Sequence, residues 1–365
     1  MQNLSSRLMQ TPEAKAYPDI ITFAFWCRKA SLLKMKAAHK SGQLRLGRGV
    51  VFHITPSNVP VNFAYSLASG LLAGNANVVR VPTKEFSQVR IICAVIRELL
   101  ETKEFSSLVN HVALLRYEHD AAITEYFSRN ADVRVIWGGD ETINEIRRAP
   151  LPPRSFDLTF ADRYSLCAIY ADEYVKQKTP ERIASGFYND TYLFDQNACT
   201  APHLVAWLGS PDNIAAAKTM FWGALHEIVK EKYVLQPIQA VDKYSAACDL
   251  AVKLDNLRVE TMPDNLIMRV AVSKLSSNID EYRCYAGYFL EFTAKSLDEI
   301  AKIVNRKYQT LSCFGFQSDV LSEFVLRNRP YGIDRIVPIG ETLDFSLVWD
   351  GYDLIDTLSR ICSIL

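Results

Sequence analysis

Residues 47–82, GRGVVFHITPSNVPVNFAYSLASGLLAGNANVVRVP, decide the fold. From Val50 to Ile54 runs a short stretch of β-formers that ends at the proline-bounded loop TPSNVP (55–60). The next segment, NFAYSLASGLLAG (62–74), repeats apolar side chains at helical spacing and stops at Gly74, and NVVRVP (77–82) reads as a second strand. A strand, a helix and a strand within roughly 30 residues make a crossover unit, whose right-handed sense places the two strands parallel in one sheet.

The rhythm continues. FSQVRIICAVIRELLE (86–101) is helical, HVALL (111–115) a strand, AAITEYFSR (121–129) a helix, and DVRVIW (132–137) a strand that runs into the helix start GGDETINEIRR (138–148). Strands alternating with helices predict an α/β fold with a doubly wound, mostly parallel sheet, in which ligands bind beyond the carboxyl ends of the strands. SFDLTFADRYSLCAIYA (155–171) adds two strand candidates around a turn, and PERIASGFYND (180–190) a helix. A second α/β unit follows: helix 210–230 with Ser210 as N-cap, strand 265–273, helix 296–307 and strand 310–316. The boundary between the units is expected near residue 190.

At 365 residues the chain exceeds the usual one-domain length of about 100 to 200 residues, which agrees with two units. Forty-one basic and 41 acidic side chains balance, so composition supplies no electrostatic basis for a nucleic-acid or membrane-surface role. The eight cysteines (Cys27, Cys93, Cys167, Cys199, Cys248, Cys284, Cys313, Cys362) show no CxxC spacing, so neither a metal site nor a disulfide framework is indicated. The amino-terminal residues lack a basic start with an apolar core, and the apolar run IITFAFW (20–26) is far below spanning length, so a cytoplasmic protein without a membrane span is expected.

Cys199, in DQNACTAPHL (195–204), follows a polar run. Pro202 is read as opening a helix near Thr200, which would put the sulfur in the positive field of a helix N-terminus and favour a thiolate; the alternative is a small packing residue. His203 is either a base for that thiol or a surface or packing residue, the latter favoured because a helix start disfavours imidazolium. Asn58, between Pro56 and Pro60, is a rigid turn residue or an amide aimed at an oxyanion. Arg80 and Lys84, just past a strand end, form a solvated basic face or contact phosphate. Trp137, Gly138 and Gly139 end a strand, and the glycines permit close backbone approach to a phosphate. GxGxxG is absent.

Taken together, residues 47–82, VRVIWGGDE (133–141), NACTAP (197–202), SLDEIAKIVNRKYQTLSCFGF (296–316) and GIDRIVPIGETLDFSLVWDGYDLI (332–355) resemble the aldehyde dehydrogenase superfamily, and more closely its fatty acyl-CoA reductase (LuxC-like) branch. The resemblance implies an aldehyde dehydrogenase-like fold: an N-terminal helical segment and dinucleotide-binding domain over 1–190, a catalytic thiol domain over 191–340, and a C-terminal segment over 341–365 packing back on the domain interface. It implies Cys199 as nucleophile, with Asn58 and the Cys199 backbone N–H as oxyanion donors. Pro56, Ser57, Arg80, Thr83, Gly138 and Gly139 are the residues it implies around the cofactor, and the reading of the strand ends adds Lys84 and Trp137 to that set.

Two departures from the superfamily pattern shape the expected chemistry. Thr83 stands where NAD-preferring members often carry an acid, and with Arg80 and Lys84 nearby it would accept a 2′-phosphate, so NADPH is expected over NADH. FADRYS (160–165) lacks the glutamate that activates water in aldehyde-oxidising members, its nearest acid being Asp162, which favours thioester reduction over carboxylate formation. The Glu-x-Phe-Gly-Pro element has no clear match near RCYAGY (283–288). The expected activity is NADPH-dependent reduction of an acyl-CoA or acyl-protein thioester to an aldehyde, through an S-acyl cysteine. The resemblance further implies an acyl-protein synthetase partner and self-association. An NAD(P)-dependent aldehyde dehydrogenase, a cysteine acyltransferase or thioesterase, and a non-catalytic partner-binding scaffold are the alternatives.

Overall fold

The computed structural model describes residues 1–39, 42–56, 59–262 and 264–364. The chain divides into two units, Met1–Asp162 with Phe345–Leu365, and Arg163–Asp344. In the first unit lie β1 (Arg45–Gly47), β2 (Val50–Ile54), β3 (Ala76–Arg80), β4 (Val112–Leu115), β5 (Val133–Trp137) and β6 (Phe156–Phe160). Strands β2 to β6 form one sheet in the order β4-β3-β2-β5-β6, with every neighbour parallel. The chain winds outward from β2 to β4 and then returns to β5, so the direction of winding reverses between β2 and β5. Such a reversal opens a crevice at the carboxyl ends of those strands.

The helix Asn62–Leu72 buries Phe63, Ala64, Leu67 and Ala68, and the helix Ser87–Leu100 buries Val89, Ile92, Val95 and Ile96, the spacing that puts apolar side chains on one helical face. Leu8, Phe23 and Trp26 of the amino-terminal helices join the same core. A Cβ at Gly70 would stand 1.9 Å from Asn77 Oδ1, so only glycine lets this helix lie so close to β3. Gly74, at φ +84°, ends the helix in the left-handed conformation.

The second unit holds β7 (Tyr164–Tyr170), β8 (Pro202–Leu208), β9 (Arg258–Thr261), β10 (Met268–Ala271), β11 (Tyr288–Thr293), β12 (Tyr308–Phe314) and β13 (Arg335–Pro338). They form a seven-stranded sheet, β13-β12-β7-β8-β11-β10-β9, parallel except for the edge strand β9. Because β7 and β8 are central, both faces are covered and their residues form nearly continuous apolar runs. Phe187, Phe221 and Trp222, from the helices Pro180–Thr191 and Pro211–Lys232, pack on one face against Val205, Trp207 and Phe289. Leu250, Ile300 and Phe324 pack on the other against Leu166, Leu204 and Leu311.

The boundary falls at Asp162/Arg163 rather than near residue 190, because β7 pairs with β8 and β12 and carries residues 163–190 into the second unit. From Phe345 the C-terminal segment rejoins the first unit, with β14 (Val348–Trp349), β15 (Tyr352–Asp353) and β16 (Ser359–Ile361). Strand β16 pairs antiparallel with β1. Arg45, Arg48 and Asn75 donate to the carbonyls of Asp356, Thr357 and Leu358 at 2.6, 2.7 and 2.9 Å. The helix expected over 296–307 shortens to Leu297–Ala301, and Pro237–Lys253 forms a further helix. Among the described residues, no helix is long and apolar enough to cross a membrane.

Candidate functional site

In the first unit Ile54 lies opposite both Arg80 and Ile136, so β2, β3 and β5 end level with one another. Thr55 and Pro56, residues 81–84, and Gly138 with Gly139 therefore leave three adjacent strands at one edge of the sheet. Thr55 Oγ1 donates to the Arg80 carbonyl at 2.8 Å, locking the ends of β2 and β3 together. The Arg80 guanidinium lies 4.8 Å from the centre of the Tyr117 ring, and its Nε donates to the Tyr117 carbonyl at 3.4 Å. This holds a half-exposed cation in place at the edge. Thr83 is half-buried beside it, and Lys84 is exposed with Nζ 5.1 Å from the Phe86 ring centre. Ser57 and Asn58 lie outside the described residues.

A Cβ built at Gly139 meets open space, whereas one at Gly138 would press on Thr142. Asp140 and Glu141 occupy the first turn of the short helix Asp140–Ile146, so the positive charge at this edge comes from Arg80 and Lys84 rather than from that helix end. Trp137 is only 7% exposed, stacks on Phe160 at 3.7 Å and donates from Nε1 to Ser66 Oγ at 3.0 Å, so its indole is committed to the core. Ser66 Oγ is 2.7 Å from His53 Nδ1, and His53 Nε2 is 3.0 Å from Asn77 Oδ1. The amide oxygen only accepts, so His53 is protonated on Nε2 and the serine hydroxyl donates to Nδ1. This buried chain of hydrogen bonds supports β2, β3 and β5 from beneath. Sequence spacing gives no sign of it.

In the second unit Cys199 is not at a helix N-terminus. Residues 198–200 form a turn and Pro202 opens strand β8, so the expected helix start at the sulfur is not there. Cys199 is half-exposed, at the amino end of a central strand. Its carbonyl accepts from Ser165 Oγ at 2.7 Å, and that oxygen accepts from the Thr310 N–H at 3.2 Å. The Ala201 N–H closes the turn on the Ala198 carbonyl at 2.9 Å. By contrast, burial pushes the Cys27 thiol up to about 12 and those of Cys93 and Cys313 up to about 11, and raises those of Cys167 and Cys284.

His203 lies within β8, 6% exposed, its ring stacked at 5.5 Å on Tyr164 and bonded to the Cys284 backbone. Burial and the nearby Arg283 push its pKa down to about 3, and burial pushes that of His53 down to about 4. His203 is therefore a neutral packing residue. Both imidazoles stay neutral in the folded chain but take up a proton on unfolding below the ordinary histidine value of about 6.5. Their contribution is complete above that pH and is lost as pH falls through the folded values, by about 3 kcal/mol for each near pH 4. Urea unfolding measured from about pH 7 to about pH 4 checks this. His53→Gln and His203→Phe should each flatten the loss of stability on acidification, and unchanged slopes in both variants would contradict the assignment.

The family model for Acyl-CoA reductase (LuxC) matches residues 2–361. A long-chain acyl-protein thioester reductase of Aliivibrio fischeri is 25% identical over 169 residues, which cover 46% of this chain and 33% of that protein. The chain thus matches about a third of the length of that relative. Among solved structures, a NAD-dependent benzaldehyde dehydrogenase from Corynebacterium glutamicum superposes with a TM-score of 0.66 at 15% identity, covering 98% of this chain and 82% of that one. A lactaldehyde dehydrogenase from Escherichia coli gives a TM-score of 0.66 at 11% identity, covering 98% and 84%. These likenesses show the aldehyde dehydrogenase-like fold expected from the sequence. With a family match over nearly its whole length, the chain belongs to the acyl-CoA reductase (LuxC) family.

Proposed function

We propose that this chain reduces an acyl thioester, carried on coenzyme A or on a protein, to the aldehyde through an S-acyl Cys199, with NADPH preferred over NADH. The observation that carries the reading is the Cys199 turn: a half-exposed thiol whose main chain is fixed by Ser165. The thiolate attacks the thioester carbonyl, and the oxyanion is stabilised by the Cys199 N–H and Asn58. Collapse breaks the bond to the carrier sulfur, which leaves and takes up a proton, and the acyl group stays on Cys199. When bound, the reduced nicotinamide would supply the hydride that converts the S-acyl carbonyl to the oxyanion of a thiohemiacetal. Cleavage of its C–S bond releases aldehyde and returns the thiolate.

The first unit suits a dinucleotide. Open space at Gly139 and the fixed Arg80 guanidinium lie at the same strand edge, where Pro56, Thr83 and Lys84 also emerge. Residues 160–165 contain no glutamate to activate water, so the S-acyl intermediate would persist until it is reduced. The same reading gives the chain an acyl-protein synthetase partner, self-association and a cytoplasmic location. The test is acyl-CoA-dependent NADPH oxidation with the product trapped as a hydrazone. Stoichiometric aldehyde is expected; free fatty acid without NADPH oxidation would favour the thioesterase.

Arg80→Ser tests the cofactor preference. A charge-assisted bond to a 2′-phosphate contributes about 1.5–3 kcal/mol, so KM for NADPH should rise roughly tenfold to a hundredfold while KM for NADH stays within about threefold. Equal effects on both would place Arg80 away from the 2′ position.

A further inference from the structure

Gln196 lies three residues before Cys199 and is 1% exposed. Its side-chain Nε2 donates to the Pro202 carbonyl and to the Tyr288 carbonyl, each at 2.9 Å. Its Oε1 accepts from the Gly287 and Tyr288 N–H groups at 3.1 and 3.2 Å. Both donors and both acceptor positions of the amide are therefore in use. One of these bonds closes the chain between residues 196 and 202 into a loop with Cys199 inside it. The other three tie that loop to the amino end of β11, which lies beside β8 in the sheet.

The backbone here is held in a costly form. Asp195 and Gln196 both have left-handed φ, +50° and +62°, a conformation that side chains other than glycine rarely adopt. Surrounding bonds offset it: Gln196 N donates to Thr191 O at 2.6 Å, Ala286 N donates to Asp195 O at 3.0 Å, and Tyr233 Oη donates to Asp195 Oδ1 at 2.5 Å. Lys243 secures the other side by donating to the Ala286 carbonyl at 2.9 Å.

We infer that Gln196 is a positioning residue for the Cys199 nucleophile: its amide fixes the loop that presents the thiol. It is not itself a reacting group, because no donor or acceptor of its side chain remains for a substrate. The inference rests on the proposed role of Cys199. Glutamate at this position keeps both acceptors but loses both donors, leaving the Pro202 and Tyr288 carbonyls without them. Leucine keeps the approximate volume and loses all four bonds.

Three readouts on the full chain separate positioning from fold maintenance: the melting temperature, the rate of Cys199 alkylation by iodoacetamide against exposed Cys248, and kcat against KM for a saturating acyl-CoA. Well below the melting point, Gln196→Leu and Gln196→Glu should lower kcat by roughly tenfold to a hundredfold, as displacing a reacting atom by about an ångström does, with KM for NADPH within about threefold. The ratio of Cys199 to Cys248 alkylation should change in the same variants. Folded variants with unchanged kcat and alkylation ratio would overturn the inference. Should the leucine variant fail to fold, the glutamate variant decides. If the parent chain forms no Cys199 acyl adduct, the proposed function fails instead, independently of Gln196.

Discussion

Cys199→Ala is expected to abolish S-acylation and to lower aldehyde formation by at least about a thousandfold, with the folded chain retained. Removing the nucleophile of a covalent mechanism leaves only binding and oxyanion stabilisation to act on the thioester. The fold should tolerate the change because the Cys199 residue is half-exposed and its carbonyl, which alanine keeps, is what Ser165 holds. Five of the other thiols are poor substitutes: burial holds Cys27, Cys93, Cys167, Cys284 and Cys313 in the protonated form at neutral pH. Exposed Cys248 lies on the helix Pro237–Lys253, and half-exposed Cys362 follows β16 in the first unit. Intact-mass measurement after incubation with acyl-CoA, together with the melting temperature, checks the result. An acyl adduct of undiminished yield on the alanine variant would move the nucleophile elsewhere.

Asn58→Ala is expected to lower turnover by on the order of a hundredfold to a thousandfold, the usual effect of removing one oxyanion donor. The acylation and hydride-transfer steps both build negative charge on the same oxygen, so single-turnover rates of both should fall. Asn58→Asp, nearly the same shape but negatively charged, should be slower still because it repels that oxygen. Wild-type turnover in the alanine variant would remove Asn58 from the role.

The first sheet was legible because its signals are local. Helical periodicity from Asn62 to Leu72, the stop at Gly74 and the apolar strands on either side fix a crossover whatever else the chain does. The ends of β2, β3 and β5, and so the meeting of Pro56, Arg80 and Gly138 at one edge, follow from that winding. The surroundings of Cys199 misled because proline is tolerated equally at the first position of a helix and of a strand. Pro202 opens a strand, and the buried run HLVAWL that follows was the sign of a central one.

The boundary misled for a related reason. Strands β6 and β7 sit either side of residues 161–163 like the arms of a hairpin, yet each pairs within a different sheet. Periodicity reports the state of a segment and says nothing of its neighbours. The Gln196 amide is the extreme case, since three of its four bonds reach residues about ninety positions away whose register only the folded sheet sets.

The most direct test is a single-turnover mass measurement: the chain is mixed with stoichiometric acyl-CoA, then NADPH is added. The expected result is an increase by one acyl group mapped to the peptide bearing Cys199, stable in buffer and lost on NADPH addition as one equivalent of aldehyde appears. Aldehyde formed without that adduct, or an adduct that NADPH leaves untouched, would contradict it.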